Sequence, residues 1–143
     1  MQKQKKWRKR QQLNVRNFNL EIILPEKILL KDQTTSVTIP SFEGDMTILK
    51  DHISLIAILR PGIIKIFGSK KAEYFVEEGA VEFLNNNLII LSSTILDVKE
   101  LSRDQISKMI DDCKNQLNNK SGLDDKTNYV ISHKVDALSR INL

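Results

Sequence analysis

The sequence is poor in the residues from which cross-links and metal sites are built. Its 143 residues include one cysteine, Cys113, and two histidines, His52 and His133. A single thiol cannot form an internal disulfide, so nothing ties the chain to an oxidising compartment. A structural zinc site needs about four cysteine or histidine ligands, more than the chain contains. These shortages exclude a disulfide scaffold and argue against a zinc protein.

Motifs for phosphate binding and nucleophilic catalysis are also missing. The five glycines stand alone at predicted turns, so no glycine-rich loop could hold a phosphate. No serine lies in a nucleophile-elbow pattern. Adjacent side chains on a strand point to opposite faces, which argues against a catalytic dyad of Asp51 and His52. The sequence therefore predicts a non-catalytic protein without a cofactor.

Two polar positions have more than one interpretation. Glu43 and Asp45 flank a glycine, but two carboxylates fall far short of the roughly six to eight oxygens that calcium prefers. We therefore interpret them as solvated turn residues or as charged contacts to a partner. His52 is either a turn residue that bonds to the backbone or an interface contact.

Long apolar runs are absent, and excess positive charge is confined to one end. No apolar run approaches the ~20 residues needed to span a bilayer, which predicts a soluble or peripheral protein. Six of the 22 Lys and Arg residues fall in residues 1–12, which contain no acid. Residues 13–143 then carry 16 basic and 18 acidic side chains, a net charge of −2. We interpret residues 1–12 as a disordered basic tail; a nucleic-acid or anionic-surface contact and a targeting peptide are the alternatives.

The chain does contain a series of short apolar segments separated by turn residues. Apolar and polar residues alternate from Phe18 to Leu24, as in a strand with one buried face. Similar segments follow at close spacing as far as Asp97. About nine or ten short strands linked by turns are typical of an antiparallel sandwich or a flattened barrel. We therefore predict a β-domain over residues 13–97.

Residues 37–66 contain the strongest turn signals. Gly44 can adopt the positive φ that a tight turn needs. Pro61 and Gly62 predict a type II turn, in which proline fixes φ and glycine supplies a positive φ. Gly79 marks a later turn between two apolar segments. The segment is interpreted as closely spaced β-strands.

The pattern changes to a helical period after the last predicted strand. Ser102 and Gln105 fit a capping box, and the apolar residues that follow lie on one helical face. Gly122 predicts the end of this helix, and a second helical pattern follows. We therefore predict a two-helix antiparallel hairpin over residues 98–143, with Cys113 buried on the first apolar stripe.

The order of these motifs resembles the epsilon chain family of F-type ATP synthases, called delta in mitochondria. The family has an acidic-Gly-acidic turn, an apolar pair, a bend ending in histidine, an apolar strand and Pro-Gly. The matching segments are residues 43–49, 50–52, 55–59 and 60–66, with further matches at 78–83 and 88–94. The likeness extends from about residue 13 to residue 141.

The resemblance implies a ten-stranded antiparallel β-sandwich with a C-terminal two-helix hairpin. It also implies a non-catalytic central-stalk subunit that couples the c ring to the gamma chain, while catalysis takes place on the beta chains. In the family the acidic turn faces the c ring, which makes Glu43, Gly44 and Asp45 the candidate contacts. The bend lies near the gamma chain, which makes His52 the candidate there.

The family's hairpin is regulatory. It lies on the sandwich or extends along gamma towards the alpha and beta chains, and it can slow ATP hydrolysis. Some bacterial members bind ATP at the start of the first helix, which corresponds here to Leu101, Ser102 and Gln105. Ser102 replaces an acid and Gln105 replaces an arginine, so we predict no strong ATP binding. The bend also lacks the family's usual proline, which predicts a looser turn.

A second interpretation is a stand-alone regulatory domain that binds a nucleotide or another small ligand between sandwich and hairpin. We favour the stalk subunit, with protein partners and no nucleic acid. The predicted location is peripheral, through the complex, on the cytoplasmic face of a bacterial inner membrane. The matrix side of the mitochondrial inner membrane is the alternative.

Overall fold

The computed structural model describes residues 16–119 and 124–141, so the predicted tail over residues 1–12 and the predicted helix end at Gly122 lie outside the described residues. Within them a continuous sheet of ten strands folds into two layers, joined where Ser41 pairs with Leu59. The first layer consists, in spatial order, of β5 (Leu55–Leu59), β8 (Gly79–Leu84), β9 (Asn87–Leu91), β1 (Phe18–Ile23) and β2 (Ile28–Thr34). The second consists of β4 (Gly44–Leu49), β3 (Ser36–Ser41), β6 (Gly62–Phe67), β7 (Lys71–Val76) and β10 (Leu96–Asp97).

One strand pairing differs from the predicted antiparallel arrangement. β1 lies parallel to β9, with Leu20 opposite Leu88. The other eight pairings among the described strands are antiparallel. The prediction of a purely antiparallel sandwich is therefore wrong at this position. Alternation of apolar residues identifies a strand in either orientation, so it carries no information about direction.

The core lies between the two layers and is formed by alternate residues of each strand. Both layers contribute fully buried side chains, among them Leu20, Ile22, Ile39, Ile64, Phe83 and Ile90. Phe18 and Phe83 meet edge to face, with ring centroids 5.7 Å apart. Burial of each such side chain contributes about 1.5–3 kcal/mol, so the alternation determines which face of each strand turns inward.

The predicted turn glycines are required for two different reasons. Gly44 has a φ of 120°, which confirms the expected positive φ. Gly62 does not have a positive φ, so the predicted type II turn at Pro61 and Gly62 is wrong. A Cβ atom at Gly62 would lie 2.4 Å from Cβ of Pro40, and one at Gly79 would meet a backbone carbonyl oxygen at 2.5 Å. At these two positions close packing, and not backbone conformation, excludes a side chain.

Two helices follow the sandwich. A 3-10 turn at Val98–Glu100 leads into α1 (Arg103–Asn118), and α2 (Asp125–Ser139) packs along α1. The predicted capping box is confirmed. The Gln105 N–H donates to Ser102 Oγ at 3.2 Å, and the Ser102 N–H donates to Gln105 Oε1 at 2.9 Å.

The helical hairpin lies on the outer face of the second layer. Phe75 of β7 forms an apolar cluster with Ile106 of α1 and Leu138 of α2. Phe75 and Leu138 are almost completely buried by this contact. Cys113 is also buried, as predicted. In this structure the hairpin is therefore compact.

Candidate interaction surfaces

The acidic corner, residues 43–45, forms the turn between β3 and β4. The Glu43 N–H donates to Ser41 Oγ at 3.2 Å, and the same hydroxyl donates to the carbonyl oxygen of Gly44 at 2.7 Å. The hydroxyl of the buried Ser41 thus bridges two backbone groups of the turn. Glu43 and Asp45 are exposed. The corner therefore presents two carboxylates on a hydrogen-bonded turn.

Arg60, between β5 and β6, connects this corner to the helical hairpin. Its Nη2 lies 3.6 Å from Asp45 Oδ1. Its Nη1 donates to the Tyr129 hydroxyl at 3.0 Å and lies 3.4 Å from Nε2 of His133. A guanidinium can only donate, so this contact requires His133 to accept at Nε2. Burial, followed by the adjacent positive charge of Arg60, lowers the pKa of His133 and favours that neutral ring.

Two hydrogen bonds hold the bend between β4 and β5 to the turn between β8 and β9. Asp51 has a φ of 64°, and its N–H donates to Asn86 Oδ1 at 2.7 Å. Asn86 Nδ2 donates back to Asp51 Oδ1 at 2.9 Å. Asn85 and Asn86 also have positive φ, which asparagine tolerates better than most residues. This pair of bonds fixes the bend, which contains no proline.

His52 lies in this bend and is half-buried. Its N–H donates to the Leu49 carbonyl at 3.1 Å, and its Nδ1 lies 2.8 Å from the Ile53 carbonyl oxygen. The carbonyl can only accept, so Nδ1 carries the proton. The imidazole meets the ring of Phe83 edge to face at 6.0 Å. His52 therefore bonds to the backbone of the bend beside the exposed Ile53.

A surface of exposed apolar side chains begins at this bend. Ile53, Ile56 and Ile58 expose 79%, 82% and 56% of their surfaces. Leu84 and Leu91, on the neighbouring β8 and β9, are each 47% exposed. The pairing of β5 with β8 and of β8 with β9 places Ile56, Ile58, Leu84 and Leu91 on one outer face, around the exposed Glu82. Ile53 lies just before β5, and we call these five apolar residues the β5 patch. The patch was not predicted, although β5 is apolar at every position and so has apolar side chains on both faces.

At the start of α1, the side chains of the two capping residues are already engaged with the backbone. Ser102 and Gln105 bond to each other's backbone N–H groups. Leu101 is half-buried against the cluster that holds the hairpin on the sandwich.

Neither described helix has the length and apolar character needed to cross a bilayer.

A cleft of about 480 Å³ lies between the second layer and α2. Its charged lining residues are Asp45, Arg60, Lys65, Glu73, Asp136 and Arg140. Each arginine pairs with one of the aspartates, and the lysine lies opposite the glutamate on neighbouring strands. The formal charges of these six side chains therefore cancel. Across residues 16–119 and 124–141, no group of three or more His, Cys, Asp or Glu side chains is placed to hold a metal ion.

Sequence comparison identifies relatives that match most of the chain. Residues 17–98 match the family described as the beta-sandwich domain of the ATP synthase delta/epsilon chain. The ATP synthase epsilon chain of Pelagibacter ubique (strain HTCC1062) is 47% identical over 128 residues, which cover 87% of this chain and 97% of that protein. The ATP synthase epsilon chain of Rhizobium etli (strain CIAT 652) is 35% identical over 103 residues, which cover 71% of this chain and 76% of that protein.

The fold also matches solved structures. A chain in the OSCP/F1/c-ring structure of Euglena gracilis mitochondrial ATP synthase gives a TM-score of 0.72 at 18% identity, covering 86% of this chain and 79% of that one. A chain in the central stalk/c-ring structure of Tetrahymena thermophila mitochondrial ATP synthase gives 0.60 at 18% identity, covering 85% and 93%. These likenesses show a shared fold. Since the domain match and the bacterial relatives agree, the chain belongs to the ATP synthase epsilon chain family.

Proposed function

We propose that the chain is a non-catalytic central-stalk subunit of an F-type ATP synthase, coupling the c ring to the gamma chain. Catalysis then takes place on the beta chains. The β5 patch is the observation that carries this proposal, because a cluster of exposed apolar side chains with a polar residue among them is typical of a protein interface. The bacterial relatives support a peripheral location, through the complex, on the cytoplasmic face of a bacterial inner membrane.

The gamma chain is the proposed occupant of the β5 patch. The resemblance assigns the bend at His52 to gamma, and the patch begins at the next residue, Ile53. The Asp51–Asn86 hydrogen bonds fix the bend, so the surface is preorganised for binding. Burial of Ile56 and Ile58 would supply apolar contact area, while His52 supports the edge of the surface.

The c ring is the proposed partner of the acidic corner. Glu43 and Asp45 offer carboxylates at an exposed turn, and Gly44 allows that turn its positive φ. Carboxylates at such a turn suit hydrogen-bond donors on a polar loop of another subunit. Pairing with Arg60 orients Asp45 but leaves 66% of its side chain exposed.

The hairpin is the proposed regulatory part, able to extend towards the alpha and beta chains. Among the described residues, its apolar contacts with the sandwich are one cluster around Phe75 and Leu138 and the stacking of Tyr129 on Phe42. Such limited packing supports two arrangements of similar free energy. The bonds between Ser102 and Gln105 support the prediction of no strong ATP binding.

Co-expression with the gamma chain of the same organism tests the proposal. A stalk subunit should co-purify with gamma in a one-to-one complex, whereas a small-ligand sensor should elute as a free monomer. The sensor interpretation has less support because the charges around the cleft are balanced. Recovery of folded chain and folded gamma in separate fractions would contradict the proposed function.

A further inference from the structure

The guanidinium of Arg60 contacts both the acidic corner and the hairpin. It faces Asp45 on one side and donates to Tyr129 of α2 on the other. The Arg60 side chain is 19% exposed, whereas that of Asp45 is 66% exposed. The cation therefore lies under the edge of the hairpin, while its carboxylate partner remains accessible to another molecule.

An aromatic contact joins the same two elements. Phe42, in the turn that leads into the acidic corner, stacks on Tyr129 with ring centroids 5.8 Å apart and an interplanar angle of 19°. Tyr129 in turn packs against His133, with centroids 4.2 Å apart. The turn between β3 and β4 thus touches α2 directly through Phe42 and indirectly through Arg60.

We propose that Arg60 couples the acidic corner to the hairpin, so that a partner that binds Asp45 loosens the docking of α2 on the sandwich. This inference rests on the proposed function, because it takes the acidic corner to be a docking surface for the c ring. It assigns the acidic corner a second role, which is to control the docking of the hairpin. Occupancy of the corner and position of the hairpin then depend on each other, because coupling between two sites is reciprocal.

The direction of the effect follows from the charges around Arg60. With the hairpin docked, Asp45 supplies the countercharge of a largely buried cation. A donor that draws the Asp45 carboxylate away leaves this cation beside Tyr129 and a neutral His133, neither of which is negative. Departure of α2 returns the cation to water. The other charged groups around the cleft are two cations and two anions, Lys65, Arg140, Glu73 and Asp136.

Cys113 is a native reporter of hairpin docking. It is the only cysteine and is 1% exposed. Burial raises the pKa of its thiol, and the charges of Lys134 in α2 and Glu77 in the sandwich also act on it. Lys134 and Glu77 form an ion pair between hairpin and sandwich, so Cys113 lies near that contact. We therefore expect a thiol reagent to reach it when the hairpin leaves. The labelling rate of the isolated full chain at fixed pH then measures the released fraction.

Asp45→Asn and Arg60→Gln should each raise the labelling rate about two- to five-fold, the range expected for an ion pair whose carboxylate is largely exposed. The double variant should label no faster than the faster single variant, because the contact that Asp45→Asn removes is also removed by Arg60→Gln. Tyr129→Phe keeps the ring stack and removes only the hydroxyl, so it should give a smaller rise. Glu21→Gln is the matched control, because it breaks an exposed pair with Lys31 in the other layer.

Rates for Asp45→Asn or Arg60→Gln equal to that of Glu21→Gln would overturn the coupling, as would independent effects in the double variant. Hydrogen exchange of β1 and β9 in the same samples should remain slow. Faster exchange there would also overturn the inference, because labelling would then report unfolding of the sandwich. The assay needs no gamma chain or c ring, so its failure leaves the proposed function standing. Failure of co-purification with intact coupling would count against the proposed function alone.

Discussion

Replacing Ile56 with alanine should weaken gamma binding without destabilising the sandwich. The change removes about three CH₂-sized groups, and each buried group contributes about 0.8 kcal/mol. Ile56 is 82% exposed in the free chain, so most of this surface is available for burial on binding. The expected loss is about 2 kcal/mol, which raises the Kd about 30-fold.

Titration calorimetry of the purified chain with the gamma chain measures this effect. Ile28→Ala is the matched control, because Ile28 is 55% exposed on β2, at the opposite edge of the layer from β5. The same atoms are removed, yet the Kd should not change. Thermal unfolding of both variants should stay within about 0.5 kcal/mol of the unaltered chain, as expected for surface substitutions.

An unchanged Kd for Ile56→Ala would refute the assignment of the β5 patch to gamma. An equal loss of affinity in Ile28→Ala would refute it as well, because binding would then depend on general surface hydrophobicity. A loss of affinity in Ile56→Ala but not in Ile28→Ala would mean that the gamma chain covers the outer face of β5.

Gly62→Ala should lower the free energy of unfolding by about 1–3 kcal/mol, because a Cβ would clash with the ring of Pro40. An unchanged melting temperature would contradict this close packing. Hairpin docking should weaken as the pH falls below about 6.5, since burial and the adjacent arginine lower the pKa of His133 and the undocked chain binds more protons. A spin-label distance between hairpin and sandwich should then lengthen, and His133→Gln should remove this dependence. Calorimetry should detect no micromolar ATP binding, because Ser102 and Gln105 already bond to each other.

Local patterns predicted the parts of the fold that depend on neighbours in the sequence. Phe18, Leu20 and Ile22 alternate with less buried residues, and all three lie in the core. Ser102 and Gln105 are three residues apart, and their reciprocal bonds form as expected. In both cases the periodicity or spacing of a few residues determines the outcome.

Features that depend on distant segments were not predictable in this way. The parallel pairing of β1 with β9 joins segments from opposite ends of the sandwich sequence. Gly62 is required because Pro40 of another strand packs against it, a contact that no turn pattern contains. Arg60 escaped notice because its partners Asp45 and Tyr129 come from an earlier strand and a later helix.

The two proposed docking surfaces are connected by backbone hydrogen bonds. The Phe42 N–H donates to the Ile58 carbonyl at 3.1 Å, and the Arg60 N–H donates to the Pro40 carbonyl at 3.0 Å. These bonds tie the turn that carries the acidic corner to the end of β5, where Leu59 is 1% exposed. A displacement imposed at the corner therefore reaches the β5 patch through a buried strand junction, which deforms less than exposed loops. A subunit that transmits torque needs this rigidity between its contacts, so the arrangement agrees with the proposed stalk function.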